Sequence, residues 1–330
     1  MSEPLPEPLM KWRFIRVNAV RFVFGAVLVA AVFGAMLVWM PYQREWGIAR
    51  RIESLGGTVN WSYCGPDWIP PSIQDRLKLF NRIEGVNLFG KTAKSHLLDD
   101  LSSLTTLKWL RLGDTQVSDS ELKHLKQLTK LVTLGLDHTN VTNTGLEHLK
   151  TMPNLKCLDI RENQVDDDGL LHLTGITTLH ELFLIHTQVT DVGLERLKAM
   201  KNLRILFLNH TKITNAGLEH LKSMMTLEEL YLEDTGITDA GLACLGELSN
   251  LELLDLNNTQ ITDIGLVNFK KLSSLEDLHL DNTQVTNVGL EQLKMMTSLK
   301  TVLLEGTPTT LEGRAMLRTA LPNCKIMPDP

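Results

Sequence analysis

The sequence predicts an α/β solenoid preceded by one membrane-spanning helix, and three patterns support this prediction. The first is a small hydrogen-bonding residue that returns every 24 positions. The nine positions are Thr115, Thr139, Asn163, Thr187, Thr211, Thr235, Thr259, Thr283 and Thr307. The second is a set of leucines at fixed distances from that residue, and the third is a run of 19 uncharged residues, 22–40. A fixed period of this length is typical of stacked structural repeats.

The apolar residues ahead of each recurring threonine predict a short strand. Leucine stands eight, five and three positions before Thr211. The segment Leu206-Phe207-Leu208 alternates with a period of two. We therefore expect its leucines to enter the core, while Phe207 and Asn209 face outward.

The second half of each repeat predicts a short helix. Leu218, Leu221 and Met224 are three residues apart and so share one helical face, and Thr214 stands where a helix N-cap belongs. A glycine returns early in this helix, at positions 145, 169, 193, 217, 241, 265, 289 and 313. We interpret it as a packing position, because a side chain there is expected to crowd the neighbouring repeat.

Stacked repeats of this kind bury their leucines between a parallel sheet and a layer of helices. We assign residues 80–310 to the repeats and residues 311–330 to a C-terminal cap, where the repeat pattern breaks. The first repeat is atypical, since Lys91 stands at its threonine position. Terminal repeats usually depart from the pattern because they cover the open end of the core.

Residues 22–40 are predicted to form a transmembrane helix. At about 1.5 Å per residue this run spans roughly 28 Å, close to the hydrocarbon thickness of a bilayer. Aromatic residues near both ends suit the membrane interface, and they are Trp12, Trp39, Tyr42 and Trp46. No small-residue cleavage site follows the run, so an uncleaved signal anchor is favoured over a cleaved signal peptide.

The flanking cations predict the orientation of this span. Four Lys or Arg residues precede it within the tail 1–21, and three follow it at positions 44, 50 and 51. Because positively charged flanks tend to stay in the cytoplasm, we expect a cytoplasmic tail. The repeats of this single-pass membrane protein are then expected to be extracytoplasmic.

Residues 41–79 are assigned to a juxtamembrane segment and an N-terminal cap. Residues 43–55 are predicted to form a helix that stops at the following pair of glycines, and Thr58–Tyr63 to form a short strand. A proline-rich turn comes next. We expect Trp61 and Trp68 to cover the open N-terminal end of the leucine core.

The repeat, written L-x-x-L-x-L-x-x-T-x-V/I-T-D/N-x-G-L-x-x-L, resembles the leucine-rich repeat family, close to its cysteine-containing-like branch. The resemblance covers about residues 80–326 and implies a horseshoe with a parallel concave sheet and convex helices, as in a bacterial membrane-anchored member. The family usually has Asn or Cys where this chain has threonine, whose hydroxyl is expected to bond backbone groups of adjacent rungs. The resemblance implies a binding scaffold rather than an enzyme, and it names no ligand.

Composition and motifs narrow the range of functions. The net charge of −6 argues against nucleic acid as a partner, and the four cysteines contain no C-x-x-C pair. No HExxH, GxSxG or zinc-type spacing occurs. We interpret the acidic triplet at 166–168 as a helix N-cap rather than a calcium loop. The sequence therefore predicts no metal site, no cofactor, no small-molecule substrate and no catalytic function.

One segment, from Gly85 to Thr92, matches the nucleotide-binding pattern G-x-x-x-x-G-K-T. A P-loop needs an apolar strand before its first glycine and a flexible loop between its glycines. The residues before Gly85 are polar, and Val86 and Leu88 occupy the strand register of the first repeat. We therefore interpret the match as buried strand and keep a P-loop nucleotide hydrolase only as a minor alternative.

The candidate binding surface is the concave face. Phe183, Phe207 and Tyr231 occupy the same position on three successive rungs, about 4.8 Å apart. Such a stripe is typical of a binding hot spot, although aromatic residues also stack on neighbouring strands for purely structural reasons. The next column offers histidines for polar or pH-dependent contacts. The candidate partner-binding residues are Phe183, Ile185, His186, Ile205, Phe207, His210 and Tyr231.

Acidic residues dominate the outward positions of the strands and the turns after them. Twelve Asp or Glu residues stand there against Arg111 and Arg161. A partner that binds this face is therefore expected to be neutral or basic, and a phosphate backbone would be repelled.

These observations predict a membrane-anchored scaffold that binds a protein or peptide on its concave face. Two further alternatives remain open. One is a ubiquitin-ligase-like substrate adaptor, by resemblance to F-box leucine-rich proteins, which needs a helical module ahead of the repeats. The other is a glycan-binding envelope protein, which would also use aromatic rungs.

Overall fold

The computed structural model describes residues 7–74, 76–92 and 95–329. It divides into two compact units. The N-terminal unit comprises residues 1–51 and 61–83, and the repeat unit comprises residues 52–60 and 84–330. Part of the predicted tail, residues 1–6, lies outside the described residues.

The repeats are built on one sheet, which has twelve strands within the described residues and follows chain order from edge to edge. The strands are β1 (Thr58–Tyr63), β2 (Asn81–Asn87), β3 (Trp109–Arg111), β4 (Thr133–Gly135), β5 (Cys157–Asp159), β6 (Glu181–Phe183), β7 (Ile205–Phe207), β8 (Glu229–Tyr231), β9 (Leu253–Asp255), β10 (Asp277–His279), β11 (Thr301–Leu303) and β12 (Lys325–Met327). From β2 to β12 each strand pairs in parallel with the next, at an offset of one repeat.

One helix precedes β1, and a helical segment follows each strand from β1 to β11. The α-helices are α1 (Glu7–Ser54), α2 (Pro71–Gln74), α3 (Ser95–Leu101), α4 (Asp119–Leu122), α5 (Asn143–Leu146), α6 (Asp167–Leu173), α7 (Asp191–Leu197), α8 (Asn215–Leu221), α9 (Asp239–Leu245), α10 (Asn287–Leu293) and α11 (Leu311–Ala320). Turns of 3₁₀ helix occupy Lys78–Phe80, Lys123–Gln127, Glu147–Thr151 and Gly265–Lys271. The α/β solenoid prediction is confirmed, and β12 is an additional terminal strand that the pattern does not predict.

The core consists of the recurring leucines. Leu206, Leu208, Leu218 and Leu221 are fully buried, as the alternation and the helical spacing predict. Asn209 departs from the prediction, because it is 7% exposed rather than outward in solvent. Its Nδ2 donates a 3.3 Å hydrogen bond to Glu233 of the next rung, and its Oδ1 is buried without a partner among the described residues.

The threonine ladder bonds within each rung, which corrects the expectation of contacts between rungs. The Thr211 hydroxyl donates to the Leu208 carbonyl at 2.6 Å, and the other ladder threonines repeat this three-residue contact. Thr139 has a further contact, because its hydroxyl lies 2.9 Å from Asn163 Oδ1 of the next rung. Asn163 has a longer side chain and reaches the backbone of the preceding rung, since its Nδ2 donates to the Leu136 carbonyl at 2.7 Å.

A second ladder joins successive repeats through the helix caps. The Asp191 carboxylate accepts the backbone N–H of Thr214 at 2.8 Å and its hydroxyl at 2.6 Å, and the Thr214 hydroxyl accepts the N–H of Ala216. The same carboxylate or amide contact recurs from Asp119 to Asn287. Asp166 takes the cap position of its own rung, as predicted for the acidic triplet.

This second ladder explains the recurring glycine. A Cβ at Gly217 would lie 2.4 Å from the Asp191 oxygen that caps the next helix, and the equivalent glycines meet the same atom at 2.1–2.5 Å. A Cβ essentially never lies this close to a non-bonded oxygen in a real protein. The glycines therefore make room for the bond between repeats, which confirms their interpretation as packing positions.

The segment that matches the P-loop pattern is strand, as predicted. Gly85, Val86 and Asn87 pair in register with β3, and Val86 and Leu88 are fully buried. The backbone between the two glycines is committed to the sheet and to the core. It is therefore not a free loop that would cradle phosphates.

The N-terminal unit begins with α1, which is longer than predicted. The helix includes the predicted span 22–40 and continues through Pro41 to Ser54, so residues 43–55 do not start a separate helix. Ala26–Ser54 is long and apolar enough to cross a membrane, and none of its most apolar window is buried. An unburied apolar helix is unlike the core helix of a globular protein.

Trp68 does not cover the core as expected. Trp61 lies 6.3 Å from Tyr42, between ring centroids, and is half-buried. Trp68 is 82% exposed and projects from the segment between β1 and β2. The proline-rich segment was expected to form part of a cap, but it holds the Trp68 side chain outward.

We predict that Gly217→Ala destabilises the protein by about 1–3 kcal/mol, the usual cost of overpacking, because the methyl group displaces the Asp191 cap. Gly175→Ala is the matched control, since nothing lies within 4 Å of its added Cβ. Both variants are unfolded with urea in detergent, and circular dichroism monitors the unfolding. The two urea midpoints are then compared. Equal midpoints for the two variants would contradict the role assigned to the glycine column.

Candidate functional site

The concave face is organised in columns because every strand is offset from the next by one repeat. The third residue of each strand forms one such column. From β3 to β11 the column reads Arg111, Gly135, Asp159, Phe183, Phe207, Tyr231, Asp255, His279 and Leu303. The residue type at this position therefore changes from one repeat to the next along the solenoid.

The three aromatic residues of this column are stacked. The ring centroids of Phe183 and Phe207 are 4.4 Å apart at an interplanar angle of 12°, and those of Phe207 and Tyr231 are 3.9 Å apart at 10°. All three side chains are half-buried. The rings are closer together than the strand spacing of about 4.8 Å, as expected on the inner side of a curved sheet. We call these three residues the aromatic stack.

Polar groups hold both ends of the aromatic stack. The Tyr231 hydroxyl donates a 2.8 Å hydrogen bond to Glu229, and burial together with this carboxylate raises the pKa of the tyrosine. At the other end the guanidinium of Arg161 lies 5.6 Å from the ring centroid of Phe183. The stack is therefore fixed in place and exposes its ring edges.

The remaining candidate residues surround the aromatic stack, as their register predicts. Ile185 and Ile205 are half-buried on the same face. The rings of His186 and His210 are parallel, with centroids 4.2 Å apart, and His210 Nδ1 lies 2.9 Å from Asp234. The structure thus brings all seven candidate residues together on β6, β7, β8 and the turns that follow them.

Backbone geometry gives the two histidines a structural explanation that the sequence pattern did not suggest. His186 and His210 have φ values of 54° and 56°, in the left-handed region, as do the equivalent residues of neighbouring turns. Asn, Asp and His adopt this conformation more readily than most residues. Their recurrence in the turn column therefore follows from the turn, and a binding role for them stays a prediction.

A cavity of about 440 Å³ lies beside the aromatic stack, and sequence reasoning missed it. It opens where Gly135 places no side chain between Arg111 and Asp159 in the column. In the sequence, the signal for this cavity is a glycine, Gly135, at a column position where the neighbouring repeats have large side chains. Arg161 forms an ion pair with Asp159 at its wall, whereas Arg111 is exposed at its rim.

Acidic residues lie on the other side of the aromatic stack, towards the C-terminal repeats. They are Glu233, Asp255, Asp277, Asp281 and Glu305. Burial raises the pKa of Asp281, although its carboxylate accepts the backbone N–H of Glu305 at 2.6 Å. No group of three or more His, Cys, Asp or Glu residues is placed to hold a metal ion in the described part of the chain.

Comparison with known proteins identifies the repeat. Models of the leucine-rich repeat match residues 151–173 and residues 225–285, which include β5, β8, β9 and β10. No curated protein sequence matches the chain significantly. The matched stretches are separated by repeats with the same spacing and the same hydrogen-bonded caps.

Solved structures share the architecture. The internalin C2 of Listeria monocytogenes is 26% identical, with a TM-score of 0.50, over 63% of this chain and 83% of the internalin. A leucine-rich repeat protein of Leptospira interrogans is 22% identical, with a TM-score of 0.53, over 69% of this chain and 62% of that protein. The second likeness shows the fold alone.

We predict that Cys157, at the cavity wall, resists alkylation. Burial and a hydrogen bond to Glu181 raise the pKa of its thiol to about 12, so almost no reactive thiolate is present at pH 8. Iodoacetamide at pH 8, followed by peptide mass spectrometry, should modify the exposed Cys64 well before Cys157. Comparable modification of both cysteines in the folded protein would show that the cavity wall is open.

Proposed function

We propose that this leucine-rich repeat protein captures a neutral or basic protein segment on its concave face while α1 anchors it in a membrane. The observation that carries the proposal is the aromatic stack, which is half-buried at the middle of the sheet and already ordered by its own contacts. Rigid aromatic residues contribute large contact area and lose little conformational freedom on binding.

The orientation of the rings favours a protein over a flat ligand. Phe207 has Phe183 on one face and Tyr231 on the other, so its faces are covered and its edge points outward. A sugar or a nucleobase that stacks on an aromatic residue needs a free ring face. Aliphatic and aromatic side chains pack well against ring edges and against the neighbouring Ile185 and Ile205. Stacking on a sugar would be limited to the outer faces of the two end rings, Phe183 and Tyr231, so the aromatic stack offers a glycan less ring surface than a protein.

Charge favours a basic or neutral segment. The acidic residues that follow the aromatic stack create a negative potential over the C-terminal half of the concave face. Lysine or arginine in the bound segment would be attracted there, which speeds association and fixes its direction. We expect the affinity to fall as salt is added, because exposed charges are screened.

The chemistry of this face supports a noncatalytic role. Two of its possible nucleophiles are Cys157 and Tyr231, and burial beside a carboxylate raises the pKa of both. A lowered pKa would favour nucleophilic attack, and neither group has one. These groups are therefore poorly suited to attack a substrate at neutral pH.

The N-terminal unit supports anchoring rather than an adaptor module. Within its described residues it contains one long helix, short strand segments and single turns of helix, not the helical module of an F-box adaptor. Val29, Phe33 and Leu37 are 63–67% exposed on α1, which suits contact with lipid. We propose an uncleaved anchor with the repeats on the extracytoplasmic side, as the flanking cations favour.

We predict that Phe183→Ala combined with Phe207→Ala reduces partner capture at least about 30-fold, because loss of a hot-spot residue costs about 2 kcal/mol or more. Partners of the wild-type protein are identified by cross-linking in cells and then quantified with the variant. The variant is also expected to lose about 1–3 kcal/mol of stability, since two stacked pairs disappear. Partner capture is therefore compared at a temperature well below the unfolding midpoint of the variant.

The matched control for this experiment combines Ile264→Ala with Val288→Ala. These side chains are 74% and 64% exposed at the starts of helical segments, so the control also removes two exposed apolar side chains. Capture by the control should equal that of wild type. If the Phe183 and Phe207 variant captures the same partners as the control does, the concave site is refuted.

Membrane orientation is tested with a single reporter cysteine. Met295 is 77% exposed in the repeats, and Cys64→Ser removes the exposed native thiol. In that background, Met295→Cys should react with a membrane-impermeant maleimide in intact cells, with the unsubstituted background as the control. Labelling that appears only after lysis would place the repeats in the cytoplasm.

A further inference from the structure

Trp68 is the most exposed large hydrophobic side chain in the described part of the chain, at 82%. Ile73, five residues later, is 42% exposed. Both belong to the segment 64–80, between β1 and β2, which we call the Trp68 loop. A single exposed apolar residue is common on protein surfaces, so the position of Trp68 in the molecule decides what its exposure means.

The Trp68 loop holds this tryptophan outward by specific contacts. Ile69, the next residue, is 5% exposed and its backbone N–H donates to the Pro66 carbonyl at 3.1 Å. The Gln74 side chain donates to the Ile69 carbonyl at 2.8 Å. Three prolines, at 66, 70 and 71, restrict the backbone around it. The exposure of Trp68 is therefore built into the loop.

The C-terminal end of the Trp68 loop is tied to α1 at the end of the apolar run. The guanidinium of Arg82 donates to the Val38 carbonyl at 3.2 Å, two residues before the run ends. The backbone N–H of Ile83 donates to the Glu45 carboxylate at 2.7 Å, and Glu45 is 7% exposed. Arg82 also lies 3.8 Å from Glu45.

These contacts fix the level of the loop on α1. Arg82 and Ile83 are both bonded to α1 between Val38 and Glu45, so this end of the loop lies beside the end of the apolar run. The other end of the loop follows β1, where Trp61 contacts Tyr42, also close to the end of the run.

The composition of the Trp68 loop suits the boundary between lipid and water. Tryptophan is enriched at that boundary because its ring is apolar and its N–H is polar. Trp39 and Trp46, both exposed, stand on α1 near the same level. Arg76 and Lys78 are exposed in the loop, and the sequence balances their charges with two aspartates, at 67 and 75, which suits a zwitterionic headgroup region.

We propose that the Trp68 loop rests in the headgroup region of the membrane crossed by α1, with Trp68 and Ile73 inserted among the lipids. The proposal depends on the membrane anchoring proposed above. The loop and α1 then form two contacts with one bilayer, which limits the tilt of the N-terminal unit against the membrane surface.

The test measures the depth of the Trp68 loop with a probe that leaves Trp68 in place. Ser72 is exposed, so Ser72→Cys in a Cys64→Ser background takes an environment-sensitive fluorophore. The full-length protein is reconstituted into phosphatidylcholine vesicles, with or without lipids that carry a headgroup-level nitroxide. The same fluorophore at Met295→Cys, an exposed position in the repeats, is the matched control.

We expect the probe at 72 to emit at shorter wavelength in vesicles than the probe at 295, and to be quenched by the nitroxide lipids. Adding Trp68→Ser should reduce that quenching. If the probe at 72 shows the same emission and the same lack of quenching as the probe at 295, the proposal is wrong. A blue-shifted probe at 72 that nitroxide lipids do not quench would also overturn it, because protein would then cover the loop.

Flotation separates this inference from the proposed anchor. Protein that fails to float with vesicles after washing at high salt and alkaline pH would refute anchoring by α1 itself. Protein that floats while its probe at 72 stays unquenched would refute the Trp68 loop proposal and leave the anchor standing.

Discussion

Each repeat is fixed to the next by a carboxylate or amide oxygen at the start of one helix, which accepts the backbone N–H of the following helix cap. In the Asp191 and Thr214 pair both contacts are shorter than 3 Å, and the cap hydroxyl is satisfied at the same time. The bond leaves no space for a Cβ at Gly217. One interaction therefore accounts for the acidic or amide residue, the threonine and the glycine, three of the most regular features of the sequence.

This fixed offset also sets the layout of the concave face. Because the caps and the strands keep the same period, residues one repeat apart lie side by side, whatever their identity. Phe183, Phe207 and Tyr231 stack for this reason. The scaffold tolerates variation at outward positions, since neither ladder uses those side chains. Function is therefore expected where the concave residues depart from regularity: the aromatic stack, the gap at Gly135 and the acidic half beyond Tyr231.

The two proposed contact surfaces have different physical characters. The aromatic stack presents ring edges that its own neighbours hold still, with carboxylates beyond them, which suits a protein segment with apolar and basic side chains. Trp68 presents a whole indole from a proline-framed loop whose ends are tied to α1, which suits the lipid interface. The titratable groups beside the stack are weakened as nucleophiles by burial. Association is therefore the role that we propose for both surfaces.

The sequence by itself determined the period, the alternation of strand and helix, the apolar helix and the residues that share a column, because a repeated pattern encodes contacts that are repeated. Tertiary structure decided the contacts between residues that differ from one repeat to the next. It covered both faces of Phe207, opened a cavity at Gly135, placed His186 and His210 in the left-handed region, and directed the hydroxyls of the ladder threonines to the carbonyl three residues before them. It also exposed Trp68. These outcomes depend on side-chain reach and on which atoms meet across the fold, and a spacing in sequence specifies neither.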